Sequence, residues 1–128
     1  MLSKLFIEGK IVRGLGEGTY FMSMAYYQQE IKKKLGFKAY PGTLNMKVNR
    51  KEIDLLKNIQ PIKINGYKSG NKTFGGVDCY KAQIININGA VIIPHLTKHT
   101  HIIEFIAPIH LKSKLKLKDG NKVKVELK

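Results

Sequence analysis

The stretch Pro41-Gly42-Thr43-Leu44-Asn45-Met46-Lys47-Val48 alternates polar and apolar side chains from residue 43 onward. Such alternation is typical of a β-strand, in which successive side chains point to opposite faces of the sheet. Thr43 and Asn45 are therefore expected on one face of this strand. Pro41 fixes the backbone where the strand begins, and Gly42 lets another part of the backbone approach closely.

Thr43 and Asn45 would present a hydroxyl and an amide oxygen side by side. A Mg²⁺ ion that also carries nucleotide phosphates accepts such neutral oxygens, because it binds few protein groups and keeps substrate oxygens and waters. The pair is therefore a candidate metal site. Threonine and asparagine also alternate on many solvent-facing strands, so these two residues alone leave both interpretations open.

The chain has 128 residues, enough for one domain with one core, and we treat residues 1–128 as a single domain. Hydrophobic residues make up 43% of it, which excludes a disordered protein. No apolar run reaches the length of a membrane span, and Met1–Glu8 does not resemble a signal peptide, so we expect a cytoplasmic protein. The single cysteine, Cys79, agrees with a reducing compartment and is expected to be a small buried thiol.

The chain carries 23 lysine and arginine residues against 9 acidic residues, a net charge of +14. Such a surface attracts anionic partners, which include nucleic acid and free nucleotides. Arg13 and Arg50 are the only arginines, however, and base readout favours the planar fork of arginine over lysine. The charge is spread along the chain, so it indicates an anionic partner without selecting one.

Turn signals divide the chain into many short β-segments and a few helices. Ser23 is the predicted N-cap of a helix from about Met24 to Leu35, and Gly36 is the residue that ends it. Strands are predicted at residues 4–13, 43–48, 61–64, 74–87, 90–93, 102–107 and 123–127, with short helical segments at residues 52–58 and around Leu111 and Leu115. Turns are predicted at Asn65-Gly66, Ser69-Gly70-Asn71, Asn88-Gly89 and Asp119-Gly120. This order predicts a mainly β fold, a small β-barrel with short helical inserts.

The stretch Gly14-Leu15-Gly16-Glu17-Gly18-Thr19-Tyr20 places three glycines at alternate positions. The amides of such a loop can face an anion without obstruction by side chains. The stretch lacks the Gly-Lys-Ser/Thr ending of a Walker loop and does not fit G-x-G-x-x-G. A tight turn between two strands explains the same residues, and the loop alone favours that interpretation.

Four histidines, His95, His99, His101 and His110, lie within sixteen positions. His99 and His101 on one strand would place two imidazoles together, as a zinc site requires. No cysteine or second close pair completes such a site, so solvent-facing histidines are the favoured interpretation.

Six groups of residues share one order and spacing with a known family. They are Gly14-Leu15-Gly16-Glu17-Gly18-x-Tyr20-Phe21, Gly36-Phe37-x-x-Tyr40-x-Gly42-Thr43-Leu44-Asn45, Phe74-Gly75-Gly76-Val77, Gly89-Ala90, Ile106-Ala107-Pro108 and Leu117-x-Asp119-Gly120. In this combination the sequence resembles the archaeal CTP-dependent riboflavin kinase family, from about Gly9 to Val125. The resemblance implies a six-stranded cradle-loop (RIFT-type) β-barrel, related to the barrels of swapped-hairpin transcription factors.

The resemblance also implies roles for individual residues. Thr43 and Asn45 would bind Mg²⁺, and Thr97 would contact the flavin. Glu104 would contact the flavin too. A carboxylate could also orient or deprotonate the ribityl hydroxyl, and Glu104 is our candidate for that role; a flavin hydrogen bond alone, or a solvent-facing glutamate on an edge strand, are the alternatives. The nucleotide would be held by Gly14, Leu15, Gly16, Glu17, Gly18, Thr19 and Tyr20 and by Ile109, His110, Leu111 and Lys112.

The implied reaction transfers the γ-phosphoryl group of CTP to the 5′-hydroxyl of riboflavin and gives FMN and CDP, with Mg²⁺ as cofactor. Riboflavin or FMN and CTP or CDP are the implied partners, and we expect a monomer that binds neither membrane nor nucleic acid. One alternative is a nucleic-acid-binding barrel of the swapped-hairpin kind, which the net charge would suit. Another is a flavin-binding protein without catalysis.

Overall fold

The computed structural model describes residues 4–14, 22–95 and 101–128. The strands are β1 (Leu5–Val12), β2 (Leu44–Lys47), β3 (Ile62–Ile64), β4 (Tyr67–Ser69), β5 (Lys72–Phe74), β6 (Val77–Ile84), β7 (Ile87–Pro94), β8 (Ile102–Ile106) and β9 (Lys122–Leu127). The helices are α1 (Ala25–Leu35), α2 (Arg50–Lys57) and α3 (Leu111–Lys114). None of the helices in these ranges is both long and apolar enough to cross a membrane.

Six strands form a closed antiparallel barrel in the order β6-β7-β8-β2-β1-β9, and β9 pairs again with β6 to complete the ring. Strand β6 pairs with two different strands along one of its edges. Residues 77–79 pair with β3, and residues 82–84 pair with β9. The mainly β fold predicted from the sequence, a six-stranded barrel with short helices, is therefore confirmed.

The barrel interior is filled by alternate side chains of its strands. Ile7 and Ile11 of β1, Met46 of β2, Phe105 of β8 and Val125 of β9 are each at most 1% exposed and belong to one cluster. Complete burial of a side chain of this size contributes about 1.5–3 kcal/mol by removing apolar surface from water. The alternation that fills the interior also directs the intervening side chains of β1, β2 and β8 to the outer surface.

Helix α1 packs against the outer side of the barrel. Its buried residues Tyr27 and Ile31 form a second apolar cluster with Cys79 of β6 and Ile92 of β7. The Tyr27 hydroxyl donates a hydrogen bond to the carbonyl of Gly75 at 2.7 Å, which satisfies the one polar atom of its side chain. Residues on both faces of β6 and β7 are therefore buried.

The predicted start of helix α1 is wrong by one residue. Met24, not Ser23, is the N-cap, and its side chain makes no capping hydrogen bond. The predicted end is confirmed, since Gly36 closes the helix with φ 88° and its backbone N–H donates to the carbonyls of Ile31 and Lys32.

The hairpin turn predicted at Asn88-Gly89 lies elsewhere, and the turn predicted at Asn65-Gly66 does not close a hairpin. Asn65-Gly66 connects β3 to β4, which pair with β6 and β5 respectively and not with each other. Asn88 and Gly89 lie inside β7, opposite Gln83 and Ala82 of β6. The hairpins close instead at residues 70–71, within the loop predicted there, and at residues 85–86. The turn predicted at Asp119-Gly120 is present.

Candidate functional site

Asn45 lies in the middle of a row that crosses three strands of the barrel. It is in register with Val12 of β1 on one side and with Glu104 of β8 on the other. The neighbouring residues Leu44 and Phe105 are buried in the barrel interior, so Asn45 and Glu104 project from the outer surface. Both are partly buried there. Pairing of β2 with β8 thus brings together two polar residues that are far apart in the sequence.

Thr43 joins this row at the residue before β2 begins. Its hydroxyl donates a hydrogen bond to Oε1 of Glu104 at 2.9 Å. The side-chain nitrogen of Asn45 lies 3.4 Å from the Thr43 hydroxyl oxygen and 3.3 Å from the Thr43 carbonyl oxygen. A hydroxyl, an amide and a carboxylate therefore form one hydrogen-bonded group, which we call the oxygen cluster (Thr43, Asn45 and Glu104).

Gly14 packs against the oxygen cluster. A Cβ atom at this position would clash with the side-chain amide of Asn45. The absence of a side chain therefore lets the backbone after β1 pass directly beside Asn45. Residues 15–20, which continue the predicted glycine loop, lie outside the described residues.

A cavity of about 420 Å³ opens beside the oxygen cluster. Its lining combines Gly14 with residues just before and at the start of β2, and with residues at the end of β8 and after it. They are Gly14, Tyr40, Pro41, Gly42, Thr43, Leu44, Asn45, Phe105, Ala107, Ile109, His110, Leu111 and Lys112. A backbone hydrogen bond from Tyr40 N to the Ala107 carbonyl, at 2.8 Å, connects the two segments that form its walls. The volume lies in the range of small-molecule sites.

Tyr40 and His110 form a ring pair at this cavity. Their ring centroids are 5.0 Å apart and the ring planes are tilted by 35°. His110 Nδ1 lies 2.6 Å from the hydroxyl oxygen of Ser113 in α3, which holds the imidazole from its other side. Both aromatic residues are exposed, so their rings can meet a flat ligand that enters the cavity.

Lys112 is paired with an acidic residue outside the cavity. Its ammonium nitrogen lies 2.9 Å from Oδ1 of Asp119, with side-chain exposures of 35% and 53%. Asp119 belongs to the turn that precedes β9. Sequence reasoning assigned this residue only to a turn, and the motif Leu117-x-Asp119-Gly120 contains no sign of its contact with Lys112.

The oxygen cluster has the chemistry that a hard divalent cation requires. Thr43 donates its hydroxyl proton to Glu104 and accepts from the Asn45 amide, which leaves one lone pair of the hydroxyl oxygen for a cation. The amide nitrogen of Asn45 points toward Thr43, so the amide oxygen is the side-chain atom of Asn45 that can bind a cation. Hydroxyl, amide and carboxylate oxygens suit Mg²⁺ better than zinc. The residues therefore fit the predicted metal.

The three histidines that the structure describes do not meet in one site. His95 lies 2.8 Å from Asp78, while His101 and His110 are exposed at other positions. His99 lies outside the described residues. Among the residues that are described, no group of three or more His, Cys, Asp and Glu side chains is placed to hold a metal ion.

Cys79 is a buried free thiol, as predicted. Burial raises the pKa of this thiol to about 12, with the nearby Asp78 carboxylate as a smaller cause. Cys79 is therefore protonated at neutral pH and unsuited to act as a nucleophile.

The structure brings together most of the predicted site residues that it describes. Gly14, Thr43, Asn45 and residues 109–112 line one cavity, and Glu104 contacts Thr43 at its edge. Leu15, Gly16, Glu17, Gly18, Thr19, Tyr20 and Thr97 lie outside the described residues. Sequence reasoning did not identify Tyr40 as a cavity residue, although its position just before Pro41 places it beside the predicted metal pair.

Comparison with known proteins gives the same family as the sequence motifs. Residues 11–127 match the family model CTP-dep_RFKase, whose description reads "Domain of unknown function DUF120". The chain is 40% identical over 128 residues to a riboflavin kinase of Methanococcoides burtonii and 43% identical over 129 residues to a riboflavin kinase of Thermococcus kodakarensis. These alignments cover 95% and 98% of the chain but only 56% and 60% of the two relatives.

The fold and the site define a small closed antiparallel β-barrel with the oxygen cluster beside a cavity. Because the family model matches most of the chain, the chain belongs to the CTP-dependent riboflavin kinase family. It spans a little more than half the length of the curated relatives that it matches.

Proposed function

We propose that this protein is a riboflavin kinase that uses CTP as its phosphoryl donor and gives FMN and CDP. The observation that carries the proposal is the oxygen cluster at the edge of the cavity. The family name supports CTP as the donor, and the relatives, each called a riboflavin kinase, support riboflavin as the acceptor.

Phosphoryl transfer requires mainly the positioning of two substrates and the neutralisation of phosphate charge. Thr43 and Asn45 would hold Mg²⁺ through the hydroxyl and amide oxygens, and the bound ion would supply positive charge against the phosphates. Because Gly14 has no side chain, the backbone after β1 lies directly against Asn45 and would face the nucleotide with little obstruction. The segment Ile109–Lys112 would contact the nucleotide from the other wall of the cavity.

Glu104 would act on the acceptor side of the reaction. The 5′-oxygen of riboflavin forms a bond to the γ-phosphorus while the bond between that phosphorus and the bridging oxygen of CDP breaks. The hydroxyl proton would pass to the Glu104 carboxylate, which lies at the edge of the same cavity through its contact with Thr43. CDP then leaves with the bridging oxygen.

Selection of CTP over ATP cannot depend on the phosphates, which the two nucleotides share. It must depend on the base, which the backbone groups of residues 109–112 and the rings of Tyr40 and His110 would contact; all of these residues line the cavity. Backbone donors and acceptors can distinguish the pyrimidine edge, whereas ring contacts accept any base.

A paired assay tests the proposal. Purified protein is incubated with riboflavin, Mg²⁺ and either CTP or ATP, and FMN is measured by chromatography. We expect FMN with CTP and not with ATP. Asn45→Ala should lower kcat by about 10²-fold or more, because it removes one neutral ligand of the cation. Asn88→Ala, at an exposed asparagine of β7, is the matched control and should retain wild-type turnover.

Two results would contradict the proposal. Wild-type turnover of Asn45→Ala at saturating Mg²⁺ would remove the metal-binding role of Asn45. Absence of FMN with either nucleotide, from protein shown to be folded, would reject the kinase. DNA binding that weakens steeply with salt would then support the nucleic-acid-binding alternative.

A further inference from the structure

Lys112 carries the one positive charge among the described residues that line the cavity. A lysine side chain has a long flexible stem and samples many rotamers when nothing restrains it. Here the ammonium nitrogen is held 2.9 Å from Oδ1 of Asp119. The pair joins residues of two different elements, α3 and the turn before β9, so it restrains the lysine from outside its own helix.

The turn that carries Asp119 is itself fixed to strand β1. The backbone N–H of Gly120 donates to the carbonyl of Ile11 at 2.7 Å, and the N–H of Ile11 donates to the carbonyl of Asn121 at 2.8 Å. Within the turn, the backbone N–H of Lys118 donates to the Asn121 side chain at 2.8 Å. Hydrogen bonds to β1 and within the turn therefore hold the backbone of Asp119 in place.

Strand β1, which holds this turn, also leads to the opposite wall of the cavity. Strand β1 ends at Val12, and Gly14, which lies against Asn45, follows two residues later. Contacts from Ile11 through the turn to Asp119 and Lys112 thus connect the two walls between which a ligand would lie. Asp119 does not line the cavity, so any effect on a ligand must act through Lys112.

We propose that Asp119 is a positioning residue that holds the Lys112 ammonium at the cavity for an anionic group of the nucleotide donor. This inference rests on the proposed function, because it requires a nucleotide in this cavity. A cation that is already oriented loses less side-chain entropy when the anion binds, so the ion pair lowers the cost of nucleotide binding. The effect belongs to binding and not to the chemical step.

The experiment compares KM and kcat for CTP in Asp119→Asn and in the wild type. Asparagine keeps the size and the turn preference of the residue while it removes the charge. We expect KM for CTP to rise by roughly threefold to tenfold with kcat unchanged. Asp54→Asn is the matched control, because Asp54 forms an exposed ion pair with Lys57 on α2 at 3.2 Å, and it should leave both constants unchanged.

A double-mutant cycle shows whether Asp119 acts through Lys112. Lys112→Ala should raise KM for CTP at least as much as Asp119→Asn, and adding Asp119→Asn to Lys112→Ala should change KM no further. Thermal unfolding of each variant checks that the turn remains folded.

Four results would overturn the inference. KM unchanged in Asp119→Asn excludes positioning, and a lower KM would mean that Asp119 withholds the ammonium from the nucleotide. A further rise of KM in the double variant, or a fall of kcat together with the unfolding temperature, would assign Asp119 a structural role. Failure of the proposed function is distinguished from all of these, because the wild type would then form no FMN from CTP.

Discussion

Through its contacts, Glu104 connects the two segments that form the candidate site, the one at the start of β2 and the one that follows β8. It accepts a hydrogen bond from Thr43, the residue before β2, while its own strand, β8, leads directly to the cavity residues Phe105 and Ala107. A carboxylate at this position lies beside Thr43 and Asn45, the proposed metal ligands, which themselves line the cavity.

We expect Glu104→Gln to lower kcat by about 10²-fold or more with little change in affinity for CTP. Glutamine keeps an oxygen that can accept the Thr43 hydrogen bond, so the change removes the capacity to take a proton and leaves the local contact. Steady-state turnover and calorimetric titration with CTP measure the two quantities. Glu8→Gln, at an exposed glutamate of β1, is the control. Loss of CTP binding with intact riboflavin binding would contradict the acceptor-side role.

The face of the strand to which a side chain points could be predicted from the sequence where polar and apolar residues alternate. Alternation places Thr43 and Asn45 on one face, and the burial of Leu44 and Met46 on the other face agrees with it. The proximity of Glu104 was not contained in any local pattern, because it depends on the pairing of β2 with β8. The Lys112–Asp119 contact could likewise not be predicted from the sequence, since it depends on how the turn before β9 attaches to β1.

At the scale of elements, the β6–β7 hairpin has an unusual turn. Its two turn residues are Ile85 and Asn86, and Ile85 has φ 58° with 68% of its surface exposed. A β-branched residue is disfavoured in this left-handed region because its side chain crowds the backbone. The turn therefore stores strain without gaining compensating burial.

Ile85→Gly should raise the free energy of unfolding by about 0.5–1 kcal/mol, because glycine adopts a positive φ without steric cost. Chemical denaturation measures this as a higher midpoint at an unchanged slope. Ile85→Val keeps the β-branch and should show no gain. Equal midpoints for Ile85→Gly and the wild type would contradict strain at this turn.

The same hairpin shows why one element boundary was predicted wrongly. Asn-Gly pairs favour tight hairpin turns, and Asn88-Gly89 was assigned to one on that basis. In the barrel, Gly89 is needed inside β7, because a Cβ there would clash with the carbonyl of Ile106 and the ring of Phe105. Close approach of β7 to β8 thus outweighs the local turn preference, and such packing cannot be deduced from a dipeptide.

At the scale of the whole molecule, the excess positive charge forms at least one ordered row on the barrel surface. Lys122 of β9, Lys10 of β1 and Lys47 of β2 lie opposite one another in register, and all three are exposed. Like charges directly opposite on neighbouring strands repel each other. By contrast, Lys124 of β9 lies opposite Glu8 of β1.

We therefore expect Lys10→Gln, which removes the central charge of this row, to stabilise the protein at low salt by about 0.2–1 kcal/mol. The gain should shrink at high ionic strength, because salt screens exposed charges. Lys124→Gln removes an attractive cross-strand pair and should not stabilise. Denaturation of both variants at low and high salt is the measurement, and a gain for Lys10→Gln that persists at high salt would contradict the electrostatic origin.

The barrel ring is completed by β9, whose two partners are distant in sequence. Leu127 pairs with Leu5 of β1 and with Ala82 of β6, whereas the β4–β5 and β6–β7 hairpins need only adjacent residues. During synthesis the hairpins can therefore fold early, but the ring stays open until β9 has left the ribosome. In that interval the unpaired edges of β1 and β6 can accept the same strand from another copy of the chain. A high local concentration of growing chains thus favours strand-exchanged dimers, and dilution favours a ring closed within one chain.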